Sequence, residues 1–126
     1  MPITFELREN NQVFYWEFTD PWSFADLIPL SKQVRVQFEE TNHKIHTLAV
    51  LHRARHLPSN LLRIRELGTW DHPKSGQLVI VGAPAFGKSI MGVIGRMVKF
   101  DRMHFSESEE DAWAFLRQAI AQDKGQ

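Results

Sequence analysis

Two apolar runs constrain the fold of this chain more than any other feature. Residues 45–51 and 78–81 are mostly aliphatic or β-branched, and neither run alternates cleanly between apolar and polar positions. Strands without this alternation are typical of parallel sheets that helices cover on both faces. We therefore expect two central, parallel strands in an α/β domain.

The segments around these runs predict an alternating order of strands and helices. Aromatic-rich residues 3–8 and 12–18 flank the turn-forming residues 9–11 and predict a leading β-hairpin. The full predicted order is β-β-α-β-α-β-α-β-α, which implies a mixed, mostly parallel sheet flanked by helices. The other predicted elements are helices near 30–41, 57–67, 88–98 and after 106, with a last strand at 101–105.

Particular residues predict where two of these helices begin. Asp20 and Pro21 have the residue types preferred at an N-cap and at the first helical position. Pro29 interrupts the apolar spacing that follows, which predicts either a kinked helix or two helices. Ser106 and Glu109 have the spacing of a capping box for the last helix.

Composition narrows the class of protein. The 126 residues match one domain, which we expect over 1–122, with a frayed tail at 123–126. Fifteen basic residues balance fifteen acidic ones, so no global field attracts nucleic acid or an anionic membrane. Cysteine is absent, and no apolar stretch approaches the roughly 18 residues of a membrane span. We expect a cytoplasmic protein with no nucleic-acid partner and no stable membrane insertion.

One segment matches a nucleotide-binding pattern. Residues 82–89 read Gly-Ala-Pro-Ala-Phe-Gly-Lys-Ser, which fits the P-loop pattern G-x-x-x-x-G-K-[ST]. In a P-loop, backbone N–H groups cradle phosphates, the lysine contacts them and the hydroxyl binds Mg²⁺. Gly82, Gly87, Lys88 and Ser89 are therefore candidate anion- or nucleotide-binding residues. A small P-loop nucleotide-binding protein is one function that the sequence allows.

Neighbouring features favour a plain strand-to-helix turn at this segment. Ala85 stands where P-loops often have glycine, and Phe86 places a large ring beside the loop. Asp101, the next acidic residue along the chain, begins a predicted strand instead of ending one, so it is badly placed to hold Mg²⁺. We expect Lys88 to be a solvated residue of the first helical turn, and we expect no nucleotide hydrolysis.

The first central strand is followed by a basic cluster. Arg53, Arg55 and His56 come after this strand, as Lys88 comes after the second. The carboxyl ends of parallel strands meet at one edge of a sheet, where open α/β sheets place their ligands. These residues are candidates for a small-anion site, and a solvated basic rim is the alternative.

The histidines do not predict a metal site. Extended chain at about 3.3 Å per residue separates His46 from His52 by roughly 20 Å, so the two cannot share one ion. Arg53 and Arg55 lie between His52 and His56 and would repel a cation. We expect neither a metal nor a cofactor.

The predicted order of elements and the chain length resemble a known family over nearly the whole chain, and the C-terminal residues are the most specific part of the match. Residues 104–116 read His-Phe-Ser-x-x-Glu-x-x-Ala-x-x-Phe-Leu, which looks like the last strand and helix of the STAS domain. This is the fold of bacterial anti-sigma-factor antagonists and of sulphate-transporter tails, and the closer likeness is to its divergent, STAS-like branch. The resemblance implies a non-enzymatic regulatory module that acts through protein contacts. Its implied partner is a regulatory kinase or an anti-sigma-like protein. A homodimer of this chain is a further hypothesis.

The resemblance also implies a phosphorylation site. In anti-sigma-factor antagonists the loop after the third strand carries a serine, phosphorylated by the partner kinase, and Ser59 stands at this place. Asn60 stands where the family commonly has glycine, and the usual preceding acidic residue is absent. Helix capping by Ser59 is therefore the alternative to control by phosphorylation or by a small anionic ligand.

A further resemblance adds another alternative. The same broad fold is similar to the CRAL-TRIO lipid-transfer domain, which implies a small-ligand or lipid-binding module. The chain is short for the deep pocket of that domain.

Overall fold

A five-stranded mixed sheet lies at the centre of the computed structural model, which describes residues 2–54, 63 and 72–124. Its strands, in order along the chain and across the sheet, are β1 (Ile3–Arg8), β2 (Val13–Thr19), β3 (Ile45–Arg53), β4 (Ser75–Val81) and β5 (Met103–Ser106). β1 is antiparallel to β2, and the other neighbouring pairs are parallel. The described helices are α1 (Phe24–Glu40), α2 (Ala85–Met97) and α3 (Glu109–Lys124).

The two apolar runs of the sequence form the interior of this sheet, as predicted. β3 is the middle strand and pairs in parallel with β4, for example Leu48 with Val79. Val79 belongs to the core on one face and Ile80 to the core on the other, which explains why the run does not alternate. The α/β class and the mixed sheet are thus confirmed. The helix predicted at 57–67 lies outside the described residues.

The sheet separates two hydrophobic cores. On one face, α1 and α2 pack against a core that includes Phe14 and Phe38. On the other face, α3 packs Leu116 against a core that includes Tyr15. Phe14 and Tyr15 are neighbours on β2 and serve different cores because successive side chains of a strand alternate between faces.

Helix α1 begins later than Asp20 and Pro21 predicted. Its N-cap is Ser23, whose backbone N–H donates to Asp26 Oδ2 at 2.8 Å. This bond satisfies a donor that the helix itself cannot pair, so the prediction of Asp20 as N-cap was wrong. Pro29 lies inside one continuous helix, so the alternative of two helices was also wrong.

The last helix is capped by a different serine from the one predicted. Ser108 Oγ accepts a hydrogen bond from the Asp111 N–H at 3.1 Å. Ser106 instead ends β5 and donates its hydroxyl to the Ser108 carbonyl at 2.8 Å, so the predicted capping box with Glu109 was wrong. Helix α3 continues to Lys124. The frayed tail expected at 123–126 stays a prediction.

Candidate functional site

The segment that matches the P-loop pattern is mostly helix. β4 ends at Val81, residues 82–84 form the turn, and α2 begins at Ala85, earlier than the predicted start at Lys88. The Lys88 backbone N–H donates to the Pro84 carbonyl at 3.0 Å. That N–H belongs to the helix and is not available to a phosphate. From residue 85 onward the chain does not form the loop with which a P-loop surrounds phosphates.

The candidate residues of this segment have different surroundings. Gly82 lies in the turn with a φ of +78°, Gly87 is buried in α2, Lys88 is half-buried and Ser89 is exposed. A Cβ at Gly82 would lie 2.6 Å from His52 Nδ1, so the His52 imidazole lies against the turn. His52 at the carboxyl end of β3 therefore contacts the turn that follows its parallel neighbour β4.

Only part of the predicted anion cluster lies within the described residues. Arg53 is the last residue of β3, and Lys88 lies in the first turn of α2 after β4. Both stand at the edge where the sequence places them, because β3 and β4 are parallel neighbours. Arg55, His56 and Ser59 lie outside the described residues, so the roles expected of them stay predictions.

A pocket of about 170 Å³ lies between the sheet and the helices α1 and α2. β2 lines it with the rings of Phe14, Trp16 and Phe18, while Ala49 of β3 and Gly87 of α2 are small residues of the same lining. Small side chains leave space that the rings do not fill, so the pocket follows from the residue sizes on this face of the sheet. We call it the sheet–helix pocket. The buried Gly87 of the P-loop pattern therefore lines an apolar pocket.

The sheet–helix pocket has few polar groups. The hydroxyl-bearing residues of its lining are Ser31, whose Oγ donates to the Ile28 carbonyl at 2.8 Å, together with Thr47 and Ser75. Trp22 Nε1 is buried and has no hydrogen-bond partner among the described residues. None of the described residues that line the pocket is acidic or basic. The pocket therefore suits a molecule that is mostly apolar.

No family model, curated protein or solved structure matches the chain. Membership of the STAS family accordingly stays a prediction, and the observed α/β sheet agrees with it only at the level of fold class. Of the helices described, none is both long and apolar enough to cross a membrane.

A second, basic pocket of about 290 Å³ lies at the edge of the sheet where the parallel strands β3, β4 and β5 begin. Lys44 before β3 and Arg102 before β5 line it, together with Lys99 and His72. Lys44 and Lys99 are exposed, and Arg102 Nε donates to the Gly76 carbonyl at 3.2 Å. Exposed cations of this kind attract anions without selecting one. This pocket is therefore a weaker candidate than the sheet–helix pocket.

His46 is a buried histidine with a structural contact on each ring nitrogen. Its side chain lies at the amino end of β3, and the residue is 2% exposed. Nδ1 accepts from the Gln77 N–H at 2.8 Å, so the proton lies on Nε2, which donates to Asp123 Oδ2 at 2.7 Å. His46 thus fastens the end of α3 to the sheet. In the part of the chain that the structure describes, no group of three or more His, Asp or Glu residues could hold a metal ion.

Tyr15 lies in a polar and aromatic cluster on the α3 side of the sheet. Its hydroxyl donates to Glu109 Oε1 at 2.9 Å, and the Arg8 guanidinium lies 3.7 Å from the ring centroid. The Trp113 ring stacks at a centroid distance of 6.1 Å. Burial, with the hydrogen bond to Glu109 and its negative charge, raises the pKa of Tyr15 far above its ordinary value. Tyr15 is therefore a neutral donor that holds the start of α3 on the sheet.

Proposed function

We propose that the protein is a non-enzymatic, STAS-like binding module that takes up a small, mostly apolar molecule in the sheet–helix pocket. The observation that carries this proposal is a space of about 170 Å³ lined largely by aromatic and aliphatic side chains. An engineered protein cavity of about 150 Å³ with a lining of this type binds benzene. The pocket therefore suits a molecule about the size of a substituted benzene ring.

Water competes poorly for a space of this kind. A buried water usually makes about three hydrogen bonds, and most of the pocket wall has no group that can form one. Transfer of apolar surface out of water is favourable by about 25 cal/mol per Å². An apolar molecule thus gains free energy on entering the pocket.

Ethylbenzene is a suitable probe for this proposal. A ligand that binds only the folded protein, at ten times its Kd, adds about 1.4 kcal/mol of stability. In a domain of this size we expect that gain to raise Tm by roughly 5 °C. Calorimetric unfolding with and without ethylbenzene measures the shift.

Two alanines provide matched variants for the test. Ala49→Leu adds bulk to the pocket from β3 and is expected to abolish the ethylbenzene shift. Ala114→Leu makes the same change at an exposed position of α3 and is expected to preserve the shift. A shift that survives Ala49→Leu would contradict binding in the sheet–helix pocket.

A second candidate function is a regulatory role through protein contacts, and an apolar stripe on α2 favours it. Phe86, Val93 and Met97 are 70%, 40% and 49% exposed, and together with Ile90 they follow the i, i+4, i+7, i+11 spacing of one helix face. Helix faces with this spacing can pack against copies of themselves. We therefore propose a second copy of this chain as the partner.

Sedimentation of the purified protein tests the homodimer. We expect a dimer that Phe86→Ser converts to monomer, because a polar side chain interrupts the apolar contact. Val36→Ser is the matched control, since Val36 is an apolar residue of α1 with 47% exposure. A monomeric wild-type protein, or equal effects of the two variants, would contradict the proposal.

Nucleotide binding at residues 82–89 is the weaker alternative. The early start of α2 at Ala85 and the hydrogen bond of the Lys88 N–H to Pro84 count against it. We expect no heat of binding and no hydrolysis with Mg²⁺-ATP. Micromolar binding that Lys88→Ala abolishes would support the P-loop interpretation instead. Phosphorylation of Ser59 remains an expectation from the family resemblance, checked by mass spectrometry of protein from its native cell.

A further inference from the structure

The sheet–helix pocket and the second, basic pocket adjoin at Ser75. This half-buried residue begins β4 and lines both of them. Both pockets are partly open to solvent. A molecule that extends out of the sheet–helix pocket at Ser75 therefore reaches the basic pocket without crossing another layer of the protein.

Two ring contacts join the linings of the two pockets. Phe38 and Phe100 line the sheet–helix pocket, and His72 and Arg102 line the basic pocket. The His72 ring stacks on the Phe38 ring at a centroid distance of 4.6 Å, and the Arg102 guanidinium carbon lies 4.6 Å from the Phe100 ring centroid. The apolar lining and the basic lining are therefore in direct contact.

The sheet–helix pocket becomes more polar toward the basic pocket. Thr47 and Ser75 are the hydroxyl-bearing residues that the strands contribute to its lining, and both lie near the amino ends of β3 and β4. Farther along the same two strands the lining includes the apolar residues Ala49, Leu51 and Ile80. A bound molecule with one polar end therefore fits best with that end toward the basic pocket.

The basic pocket carries positive charge that its described lining does not neutralise. Lys44 and Lys99 are exposed, and neither side chain has a hydrogen bond or an ion pair within the described part of the chain. The described lining includes no acidic residue, and Asp101, whose Oδ1 lies 3.8 Å from Arg102 Nη1, is 91% exposed. This charge attracts an anion, and the adjoining apolar pocket supplies the selectivity that exposed cations lack.

The two pockets favour opposite ends of one amphipathic molecule. Apolar surface gains free energy on leaving water for the sheet–helix pocket. A carboxylate in that pocket would lose its hydration without gaining a cationic partner, which is strongly unfavourable. In the open basic pocket a carboxylate keeps part of its hydration and is attracted by the lysines. Each end of such a molecule therefore has one favourable place.

We propose that the adjoining pockets bind a small amphipathic carboxylate, with its apolar body in the sheet–helix pocket and its carboxylate in the basic pocket near Lys44 and Lys99. The inference rests on the proposed function, that is, on uptake of an apolar molecule by the sheet–helix pocket. It adds the charge of the ligand and the direction in which the ligand lies.

Four probes separate this inference from the proposed function. Ethylbenzene tests the sheet–helix pocket alone, whereas 4-phenylbutyrate, 4-phenylbutanol and 4-phenylbutylammonium carry the same ring with an anionic, a neutral and a cationic end. In isothermal titration calorimetry at neutral pH, we expect the affinities of the last three to fall in that order. We expect only the 4-phenylbutyrate affinity to weaken as salt rises from about 0.05 M to about 0.5 M.

Each outcome of this series bears on one of the two proposals. Binding of none of the four probes overturns the proposed function, and with it this inference. Binding of ethylbenzene without 4-phenylbutyrate shows that no ligand extends past Ser75 and overturns the inference alone. Equal, salt-independent binding of 4-phenylbutyrate and 4-phenylbutanol also overturns it, because the carboxylate would then not be near the lysines.

Lys44→Gln removes one charge of the basic pocket and no contact within the described part of the chain. We expect 4-phenylbutyrate affinity to fall about threefold, as for one exposed ion pair, and 4-phenylbutanol affinity to stay unchanged. Lys32→Gln is the matched control, because Lys32 is an exposed lysine of α1 that lines neither pocket. Equal effects of the two variants on 4-phenylbutyrate would show that it senses only net charge, which overturns its place in the basic pocket.

Nuclear magnetic resonance of the unaltered protein gives a second readout that needs no variant. In ¹⁵N-labelled protein, we expect 4-phenylbutyrate to move the backbone amide signals of Lys44 and Lys99 further than 4-phenylbutanol does, because only the carboxylate adds charge beside them. Equal movement of these signals with both bound probes overturns the inference and leaves the pocket proposal standing.

Discussion

At the scale of single residues, two buried polar side chains connect α3 to the sheet. Tyr15 of β2 holds the first turn through Glu109, and His46 of β3 holds the last turn through Asp123. Each bond satisfies a group that is largely removed from water, so each side chain would be costly to leave unpaired. The two contacts lie at opposite ends of the helix and can be tested separately.

The pH dependence of stability tests the environment of Tyr15. Its pKa in the folded state is raised by burial and by Glu109, whereas its unfolded value is about 10. Above about pH 10 the unfolded chain loses this proton and the folded protein keeps it, so the stabilisation is complete below that pH and falls as pH rises. Tyr15 is the only tyrosine, and we expect its ultraviolet tyrosinate absorbance to appear only as the protein unfolds.

Tyr15→Phe provides the control for this titration. It removes the ionisable group and keeps the ring, so the decline of stability in alkali should be shallower than in the wild type. Tyrosinate absorbance near pH 10 in a protein with native circular dichroism would contradict the buried hydrogen bond to Glu109.

Asp123 accepts the hydrogen bond of the His46 imidazole. Its removal should lower the free energy of unfolding more than removal of an exposed carboxylate does. Asp123→Ala leaves the Nε2–H of a nearly fully buried imidazole without a partner, and we expect a loss of about 1–3 kcal/mol. Asp101→Ala is the control, because that carboxylate is 91% exposed. Urea unfolding monitored by circular dichroism measures both. Equal midpoints for the two variants would contradict the structural role of His46.

At the scale of elements, the sequence predicts the strands better than the helix starts, and the reason is physical. The strand at 78–81 depends on burial over several residues, which shows directly as an unbroken apolar run. A helix start depends on a single hydrogen bond, for which several residues compete. Asp20 and Ser23 are both good caps by residue type, and the backbone path before α1 selects Ser23.

The turn between β4 and α2 should be sensitive at Gly82 and tolerant at Lys88. Gly82 has a φ of +78°, which costs a residue with a Cβ about 1–2 kcal/mol, and that Cβ would lie 2.6 Å from His52 Nδ1. We expect Gly82→Ala to lower the free energy of unfolding by at least about 1 kcal/mol. We expect Lys88→Ala to change it by no more than about 0.5 kcal/mol. Thermal unfolding measures both changes.

A double variant separates the two causes at Gly82. Adding His52→Ala to Gly82→Ala removes the contact with the imidazole and leaves the unfavourable φ, so only part of the stability should return. Complete recovery would show that φ contributes little. A larger loss for Lys88→Ala than for Gly82→Ala would mean that Lys88 has a structural contact in the turn.

At the scale of the whole molecule, the sheet–helix pocket arises only where side chains of the sheet meet those of the helices on one of its faces. The sequence shows the aromatic residues of β2 and the glycine of the P-loop pattern, but not that Phe14, Ala49 and Gly87 line one space. The order of the described elements could be predicted because each depends on nearby residues. The volume left between them, and the unpaired Trp22 N–H, depend on packing across distant parts of the chain.

The two cores should unfold together because they share the same strands. Neighbouring residues of β2 such as Phe14 and Tyr15 serve opposite cores, so loss of one packed layer removes support from the other. Leu116→Ala truncates a fully buried side chain of the α3 core and should lower the free energy of unfolding by about 2–5 kcal/mol. Gln118→Ala is the control, an exposed position of the same helix, and it should leave the midpoint nearly unchanged.

Fluorine resonance of protein labelled with fluorotryptophan distinguishes the two cores in one urea titration. Trp16 and Trp22 lie in the core under α1 and α2, whereas Trp113 packs against the α3 core. We expect the native signals of all three to disappear at one midpoint in the wild type, and at one lower midpoint in Leu116→Ala, because two-state unfolding removes both cores at once. Loss of the Trp113 signal at a urea concentration where the Trp22 signal is still native would show instead that α3 detaches from an intact sheet.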